Sequence, residues 1–241
     1  MIKVFIGYDS RESVAFSVLS HSIHVRASQP VCIAPLMLSQ LGGIHHRERH
    51  QLQSTDFSFS RFLTPYLCNY EGWSIFMDCD MLVREDIADL WSLRDERYAV
   101  QVVKHVHVPR ESTKFLDQPQ SRYEKKNWSS VMLFNNARCR ALTPEYVNTA
   151  TGLELHQFKW LGDDALIGAL PHRWNHLVGY DEHDTHAANV HYTIGGPYFA
   201  EYAYCEFSGE WRAEREQMLS AGAAKDAATR REPLRLVEAN V

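Results

Sequence analysis

The chain has 241 residues, of which 45% are hydrophobic and 12% aromatic, and its formal net charge is -5. This composition excludes a disordered chain, the acidic balance gives no basic footprint for nucleic acid, and no run reaches the roughly 20 apolar residues of a membrane span. Five scattered cysteines without zinc-type spacing, and a start without an apolar leader, predict a soluble cytoplasmic protein with reduced thiols.

The N-terminal segment predicts a strand followed by a helix. Residues 2–6 are an apolar run that ends at Gly7. Asp9 and Glu12 have the spacing of a helix-capping pair, and residues 14–23 carry an apolar stripe with helical periodicity. A strand–helix start of this kind is typical of α/β proteins.

Further elements continue the alternation up to the middle of the chain. Residues 31–36 predict a second strand, and residues 59–67 predict a helix despite Pro65. The apolar residues 75–77 predict a third strand.

The second half predicts two strands and a short helix. The strands are expected at residues 98–103 and 131–134, and the helix at residues 164–170, closed by Pro171. Strands that alternate with helices predict an α/β fold with a mostly parallel central sheet.

The C-terminal segment differs in composition from the rest. From Gly209 onward the chain is rich in Ala, Arg and Glu. We therefore predict a catalytic domain over residues 1–205 and a peripheral helix or tail over residues 206–241. An amphipathic helix that contacts a membrane surface is the alternative for this tail.

Two carboxylates stand at the end of the third predicted strand. Asp78 and Asp80 flank Cys79, and alternate residues of a strand point to the same face. Like charges held this close raise each other's pKa unless a cation lies between them. The pair therefore predicts a site for a divalent metal with oxygen ligands, a usual way to neutralise a diphosphate leaving group.

The first strand ends in polar residues as well. Tyr8 and Asp9 follow it, just as Asp78 and Asp80 follow the third strand. Ligands of such sheets bind at the carboxyl ends of the strands. Two distant segments are thus expected to converge on one crevice.

The motif around the aspartates resembles that of glycosyltransferase family 8, the retaining enzymes of the glycogenin and lipopolysaccharide galactosyl- or glucosyltransferase type. The resemblance rests on residues 76–83 and 86–91 and covers roughly residues 1–200. Four more segments follow in the expected order, namely residues 7–9, 61–65, 128–135 and 191–198. The resemblance implies the GT-A fold, a Rossmann-like fold of nucleotide-diphospho-sugar transferases.

The resemblance also implies a metal site. Asp78 and Asp80 match the metal-binding pair, with Asp78 near the ribose of the donor, and His191 matches the third protein ligand. Two carboxylates and an imidazole, completed by diphosphate oxygens, suit Mn²⁺, with Mg²⁺ as the second choice. A histidine satisfied at a strand end is the alternative for His191.

Three further residues match positions near the donor. Tyr8 is expected to stack on uracil, and Asp9 to accept hydrogen bonds from base or ribose, to cap the following helix, or to do both. Arg61 matches an arginine near the donor and the aspartates; a surface ion pair is its alternative.

The segment beside the reacting sugar departs from the family pattern. The family has the pattern Asp-Gln-Asp-x-Leu here. Asp163 falls on the glutamine and Asp164 on the second aspartate, but Gly162 stands in place of the first aspartate. Asp163 is the candidate for acting on the sugar's β-face, and Asp164 for ordering sugar hydroxyls. Either residue is alternatively a helix N-cap.

A second departure follows His191, where the family's diphosphate-binding lysine is missing. The backbone amides of Gly195 and Gly196 are our candidates for an anion-binding nest in its place. The nearby His and acidic residues are interpreted as a solvated surface run, with a separate zinc site as the rival interpretation; they are Asp181, Glu182, His183, Asp184, His186 and His191.

These observations predict a metal-dependent glycosyltransferase. We expect it to move a hexose from a nucleotide-sugar, with a UDP-sugar as the first choice, to a saccharide or other hydroxyl acceptor with retention of configuration. The alternatives are a sugar nucleotidyltransferase and a catalytically silent nucleotide- or sugar-binding protein.

Overall fold

A computed structural model describes residues 1–48, 53–106, 113–114, 118–119 and 124–220 of the chain. Within these ranges the backbone forms strands and α-helices joined by short 3-10 turns. The strands are β1 (Ile2–Gly7), β2 (Val31–Leu36), β3 (Trp73–Met77), β4 (Met81–Val83), β5 (Val100–Val102), β6 (Thr113–Lys114), β7 (Gln118–Pro119), β8 (Val131–Asn135), β9 (Ile167–Ala169), β10 (His176–Leu177) and β11 (Asn189–His191). The α-helices are α1 (Ser13–Arg26), α2 (Thr64–Leu67), α3 (Ile87–Ser92), α4 (Pro144–Thr149), α5 (Gly152–His156) and α6 (Ser208–Ser220).

The central sheet has six strands in the order β2-β1-β3-β8-β5-β9. β1 is parallel to β2 and β3, and β5 is parallel to β9, whereas β8 is antiparallel to both of its neighbours. Parallel neighbours require a crossover connection, which α1 supplies between β1 and β2. The predicted α/β fold with a mostly parallel sheet is confirmed.

A second sheet, in the order β10-β11-β4, lies beyond the end of β3. β4 follows β3 after three residues, and it pairs antiparallel with β11 so that His191 lies opposite Met81. This pairing brings a C-terminal histidine next to the aspartate motif, because Met81 directly follows Asp80.

The core consists of large apolar side chains on the central sheet. Gly7 permits close packing at the end of β1, since a Cβ there would lie 2.2 Å from the ring of Phe57. The largest of the fully buried side chains in the central cluster include Phe57, Phe62, Phe76, Phe134 and Phe158.

The C-terminal helix α6 packs against α1. Glu214 on α6 is buried, and its carboxylate accepts from His21 Nδ1 at 2.6 Å and from Arg26 Nη2 at 2.7 Å. The helix predicted for residues 206–241 is thus present over Ser208–Ser220, and residues 221–241 of the predicted tail lie outside the described residues. The domain division at residue 205 stays a prediction.

Among the described residues, no helix combines the length and the apolar character that crossing a membrane requires.

Most predicted elements are present, with one clear error. The helix at residues 59–67 forms as a 3-10 turn followed by α2, whose first turn accommodates Pro65. The helix predicted over residues 164–170 is wrong, because only a 3-10 turn forms and β9 follows it. The physical reason is tertiary: the buried Ile167 pairs with β5, opposite Val100, and completes the sheet.

Candidate metal centre and its surroundings

Strand alternation at the end of β3 separates the aspartates from Cys79, as predicted. Asp78 and Asp80 are each 8% exposed, whereas Cys79 is fully buried. The Cys79 Sγ lies 4.0 Å from Oε2 of Glu12, on the inner side of the strand. Two backbone hydrogen bonds hold the aspartates in place, one from the Asp78 amide to the Ser130 carbonyl and one from the Tyr192 amide to the Asp80 carbonyl.

His191 faces both carboxylates. Its Nε2 lies 3.4 Å from Oδ1 of Asp80 and 3.9 Å from Oδ2 of Asp78. One ligand atom from each of the three residues lies within 4.8 Å of the others, and all three residues are buried. The structure therefore brings together the three residues that the sequence predicts as metal ligands.

Asn175 orients the imidazole of His191. Its Oδ1 lies 2.9 Å from Nδ1 of His191, so Nδ1 carries the proton of that hydrogen bond and Nε2 is left as an electron-pair donor toward the aspartates. Two carboxylates and an oriented imidazole fit a divalent cation. The sequence contains no signal for Asn175, since an isolated asparagine in a loop has no pattern.

Replacing Asn175 by leucine should weaken Mn²⁺ binding by about 10–100-fold, because the hydrogen bond that orients His191 is lost. Isothermal titration calorimetry with Mn²⁺ measures the change. The matched control is Asn175→Asp, which keeps an oxygen acceptor at the same position and should keep most of the affinity. A folded leucine variant with wild-type affinity would show that Asn175 has no orienting role.

Arg61 is buried against Asp78. Its Nη1 lies 2.8 Å from Oδ1 of Asp78 and donates to the carbonyl of Ser129 at 2.9 Å. The guanidinium also lies over the rings of Phe57 and Phe76. Arg61 is therefore placed beside the aspartate motif as predicted, and its ion pair is buried rather than on the surface. The ion pair with Arg61 involves Oδ1 of Asp78, whereas Oδ2 of Asp78 faces His191.

Burial dominates the protonation of Asp78. Removal from water raises the pKa of Asp78 from 3.8 to about 6, with Arg61 and His191 opposing this shift and Asp80 adding to it. A cation held between the carboxylates would reverse that shift, because it stabilises their charged forms.

Glu12 is an acidic residue beside the site whose role the sequence did not reveal. It is 1% exposed, and the Tyr198 hydroxyl donates to its Oε1 at 2.7 Å. Burial, reinforced by the charge of Asp80, raises the pKa of Glu12 from 4.5 to about 8. The predicted capping partnership with Asp9 is wrong for Glu12, because its side chain turns inward.

The metal-free protein should lose stability as the pH rises, and Glu12 should cause part of that loss. Its folded pKa of about 8 exceeds its ordinary value of 4.5, so the folded state holds a proton that the unfolded state releases between these values. The free energy of unfolding should therefore fall with a slope of at most about 1.4 kcal/mol per pH unit from this group.

Urea unfolding of wild type and Glu12→Gln in EDTA, at pH 6.5 and 8, measures this slope. Asp78, with a pKa of about 6, is mostly deprotonated in the folded protein above pH 6.5. The difference in slope between the two proteins therefore reports on Glu12. The glutamine variant should show the smaller fall. Equal slopes in the two proteins would contradict the assignment to Glu12.

Tyr8 and Asp9 stand at the end of β1, as predicted. The ring of Tyr8 packs edge-on against Phe16, with 5.5 Å between centroids. The carboxylate of Asp9 accepts hydrogen bonds from the backbone amides of Arg11 and Asp56 and from the Arg11 guanidinium. Burial by itself raises the pKa of Asp9, but these hydrogen bonds outweigh burial and lower it.

Asp9 therefore caps the 3-10 turn Ser10–Glu12, which is one of the two roles expected for it. Binding of base or ribose by Tyr8 and Asp9 stays a prediction.

Asp163 and Asp164 lie together in an exposed turn before β9. Asp163 Oδ1 accepts from the Ala165 amide at 2.9 Å and so forms the N-cap of the turn. Asp164 Oδ1 lies 2.5 Å from Nζ of Lys125, and this ammonium lowers the pKa of Asp164. The capping alternative is thus present at Asp163, and the roles of both residues toward a sugar stay predictions.

The glycines after His191 are packed against aromatic rings. A Cβ at Gly195, whose φ is +154°, would lie 2.4 Å from Tyr202, and one at Gly196 would lie 2.3 Å from Tyr198. The Gly195 amide already donates to the Tyr192 carbonyl at 2.9 Å. The Gly195 amide is thus engaged within the chain in this conformation, and the anion-binding nest of the Gly195 and Gly196 amides stays a prediction.

The members of the histidine-rich and acidic run 181–191, all of them described, form no three-ligand cluster with one another, so the rival zinc site is not assembled from that run. His191 belongs to the aspartate centre instead, and among the described residues Asp181 is grouped with His105 and His172. His183 pairs with Glu206. The acidic and histidine-rich run thus distributes its members over separate contacts.

Comparisons with known proteins identify one sequence relative and a common fold. No family model matches the chain. A protein of Arabidopsis thaliana named Protein CDI is 47% identical over 224 residues, which cover 89% of this chain and 86% of that protein.

Solved structures of glycosyltransferases share the fold. The bifunctional glycosyltransferase WbbM has a TM-score of 0.62 at 15% identity, over 93% of this chain and 51% of WbbM, so the chain spans about half of WbbM. The galactosyltransferase LgtC, solved with donor and acceptor sugar analogs, has a TM-score of 0.57 at 12% identity, over 97% of this chain and 98% of LgtC. The fold is therefore that of GT-A glycosyltransferases, as predicted.

Proposed function

The chain belongs to the protein family of Protein CDI, and on this premise we propose that it is a glycosyltransferase that moves a sugar from a nucleotide-sugar donor to a hydroxyl acceptor. One observation carries the proposal: Asp78, Asp80 and His191 meet in a buried cluster at the carboxyl end of β3, within the fold of glycosyltransferases. Ligands of α/β sheets bind at this edge.

In this proposal Asp78, Asp80 and His191 hold a divalent cation, Mn²⁺ or else Mg²⁺. Such an ion, when bound, offsets the negative charge that develops on a departing nucleoside diphosphate. Arg61 pairs with Oδ1 of Asp78, and Asn175 holds the imidazole of His191, so two of the three ligand side chains are oriented before any ligand arrives. Preorganisation of this kind removes a reorganisation cost from the reaction.

The donor is assigned to the crevice between the ends of β1 and β3. The ring of Tyr8, which packs edge-on against Phe16, is assigned to stack on uracil, and the family 8 resemblance assigns Asp78 to the ribose. Asp9 holds the turn that presents Tyr8, because its carboxylate is occupied by backbone amides and Arg11. These placements support a UDP-sugar as the donor.

The reacting sugar is assigned to the side of Asp163 and Asp164. Gly162 replaces a carboxylate of the family 8 pattern, and Asp164 is paired with Lys125. Position 162 thus has no carboxylate, and the carboxylate of Asp164 is held in an ion pair, so neither position supplies a strong nucleophile. This favours a retaining front-face route through an oxocarbenium-like state, in which a phosphate oxygen of the departing group helps to deprotonate the acceptor.

The expected partners are the donor and a saccharide or other hydroxyl acceptor, which is consistent with the donor and acceptor sugar analogs bound by LgtC. All five cysteines are free thiols in the structure. Free thiols support a reducing compartment, and we assign the protein to the cytoplasm on this basis.

A screen of nucleotide-sugars with Mn²⁺ tests the proposal. Released nucleoside diphosphate is measured with and without candidate acceptors, and calorimetry with UDP and Mn²⁺ measures binding independently. We expect metal-dependent release of UDP from at least one hexose donor, and metal-dependent binding of UDP.

Two outcomes would contradict the proposal. Release of pyrophosphate from a nucleoside triphosphate and a sugar phosphate would identify a nucleotidyltransferase. Binding of UDP with Mn²⁺ but no turnover of any donor would identify a silent binding protein, for which Gly162 would be the first explanation.

A further inference from the structure

A second cluster of metal-ligating side chains lies away from the aspartate centre. One ligand atom each of His105, His172 and Asp181 lies within 4.8 Å of the other two. His172 Nε2 is 3.3 Å from Oδ2 of Asp181, and the imidazoles of His105 and His172 are 5.0 Å apart in an edge-on arrangement. His105 is more than sixty positions from the other two residues, so the fold assembles the cluster.

Three strand ends bring these residues together. His105 follows β5, His172 follows β9, and Asp181 follows β10. Because β5 and β9 are parallel, His105 and His172 emerge at the same edge of the central sheet. Since β3 runs in the same direction as β5, this is also the edge of the aspartate motif.

Contacts to the backbone hold the cluster. The Leu177 amide donates to Oδ2 of Asp181 at 2.6 Å, and Nε1 of Trp128 donates to the carbonyl of His105 at 2.8 Å. His176 lies behind Asp181, with its Nδ1 4.0 Å from Oδ2 of Asp181 and its Nε2 3.4 Å from Glu206. Supporting contacts of this type orient metal ligands in proteins.

The donor set differs from that of the aspartate centre. Two imidazoles and one carboxylate favour a borderline-soft ion such as Zn²⁺, whereas Mn²⁺ and Mg²⁺ prefer oxygen-rich sites. Ligand atoms about 2.0–2.1 Å from a tetrahedral zinc ion lie about 3.3–3.4 Å apart. The 3.3 Å separation of His172 Nε2 and Asp181 Oδ2 matches this distance.

The three residues of the cluster differ in their exposure to solvent. His105 is buried, Asp181 is half-buried, and the side chain of His172 is 54% exposed. A cation can therefore reach the cluster from the side of His172. Three protein ligands with one side open to solvent leave a fourth position for water or a substrate group.

We propose that His105, His172 and Asp181 form a second metal site, selective for Zn²⁺, at the carboxyl edge of the sheet. The site ties the ends of β5 and β10 to the 3-10 turn His172–Asn175. The same turn carries Asn175, which orients His191 in the aspartate centre. Zinc at this site stabilises the turn on which the first centre depends.

Zinc titration in a variant that lacks the first centre tests the proposal. The parent is the tag-free full chain with Asp78→Asn and Asp80→Asn, stripped of metal, and Zn²⁺ is titrated against a chromophoric chelator. In this parent, one zinc ion should bind per chain. His172→Ala and Asp181→Asn should each weaken that binding by about tenfold or more.

The variants are chosen so that loss of folding does not imitate loss of the site. His172 is largely exposed, and Asp181→Asn keeps a carbonyl oxygen that accepts from the Leu177 amide. The exposed neighbour His186 provides the matched control, because His186→Ala should bind zinc as the parent does. Circular dichroism confirms that each metal-free variant is folded.

Co²⁺ substitution gives a second readout. The parent should show the visible absorption of a four- or five-coordinate ion, and His172→Ala should lose it. The proposal is overturned if the parent binds no zinc in competition with the chelator, or if His172→Ala binds it within twofold of the parent.

Discussion

Replacing Asp80 by asparagine should lower sugar transfer by about 10²–10³-fold or more, because the charge that balances the leaving diphosphate depends on this carboxylate. Asparagine has the same shape but no charge, so the packing around Met81 and Tyr192 is kept. Release of UDP at saturating donor and Mn²⁺ measures the loss. Mn²⁺ affinity should fall in parallel, which separates a metal-binding defect from a defect in chemistry.

The same variant should be at least as stable as wild type when no metal is present. Asp78 and Asp80 are buried near Glu12, and removal of one negative charge relieves their mutual repulsion. Asp89→Asn, on the exposed face of α3, is the control and should keep full activity. An Asp80→Asn protein with more than a tenth of wild-type turnover would exclude the proposed metal role.

Replacing Arg61 by alanine should destabilise the protein by about 3–5 kcal/mol at pH 7.5, because it leaves the carboxylate of Asp78 buried without its counter-ion. The ion pair spans 2.8 Å, and both side chains are nearly inaccessible. Loss of the contacts with Phe57 and Phe76 adds to the effect. Urea unfolding in EDTA measures the change.

A double-mutant cycle separates the ion pair from the lost packing. Asp78→Asn removes the charge that Arg61 balances, so the double variant Arg61→Ala/Asp78→Asn should be less destabilised than the two single changes predict together. Arg61→Lys keeps the positive charge and should cost less than Arg61→Ala. Additive effects in the cycle, or a cost below about 1 kcal/mol for Arg61→Ala, would contradict the pairing.

The two experiments probe different properties of one centre. Replacing Asp80 by asparagine is expected to impair metal binding and turnover without lowering the free energy of unfolding. Arg61 is expected to matter for stability because it holds Asp78 in a charged state. Carboxylates that serve function, but whose burial lowers the stability of the folded protein, are typical of active sites.

Local pattern was sufficient for five of the six strands of the central sheet and for the aspartate pair. The apolar run of β3 predicted a buried strand, and strand alternation placed Asp78 and Asp80 on one side and Cys79 on the other. The parallel character of the sheet followed from the alternation of strands and helices. These features depend on neighbours within a few residues, which the sequence displays directly.

Local pattern failed where a distant partner decides the conformation. Residues 164–170 have helical spacing, yet pairing with β5 draws Ile167–Ala169 into the sheet. Glu12 has the spacing of a capping residue, yet burial beside Asp80 and a hydrogen bond from Tyr198 turn it inward. In both cases the burial of side chains across the sheet outweighs a weak local preference.

The sequence by itself determined five strands of the central sheet and helix α1, and that two carboxylates leave one strand together. Through the family resemblance it also indicated which histidine is their partner. Only the tertiary structure decided that Asn175 orients His191, that Arg61 is buried against Asp78, and that His105, His172 and Asp181 meet. The physical reason is the separation along the chain between the residues that decide each feature. Alternation along a strand is set by covalent geometry, whereas these contacts join elements that are distant in the chain, such as the paired strands β10 and β11, the paired strands β5 and β9, and the turn that carries Arg61.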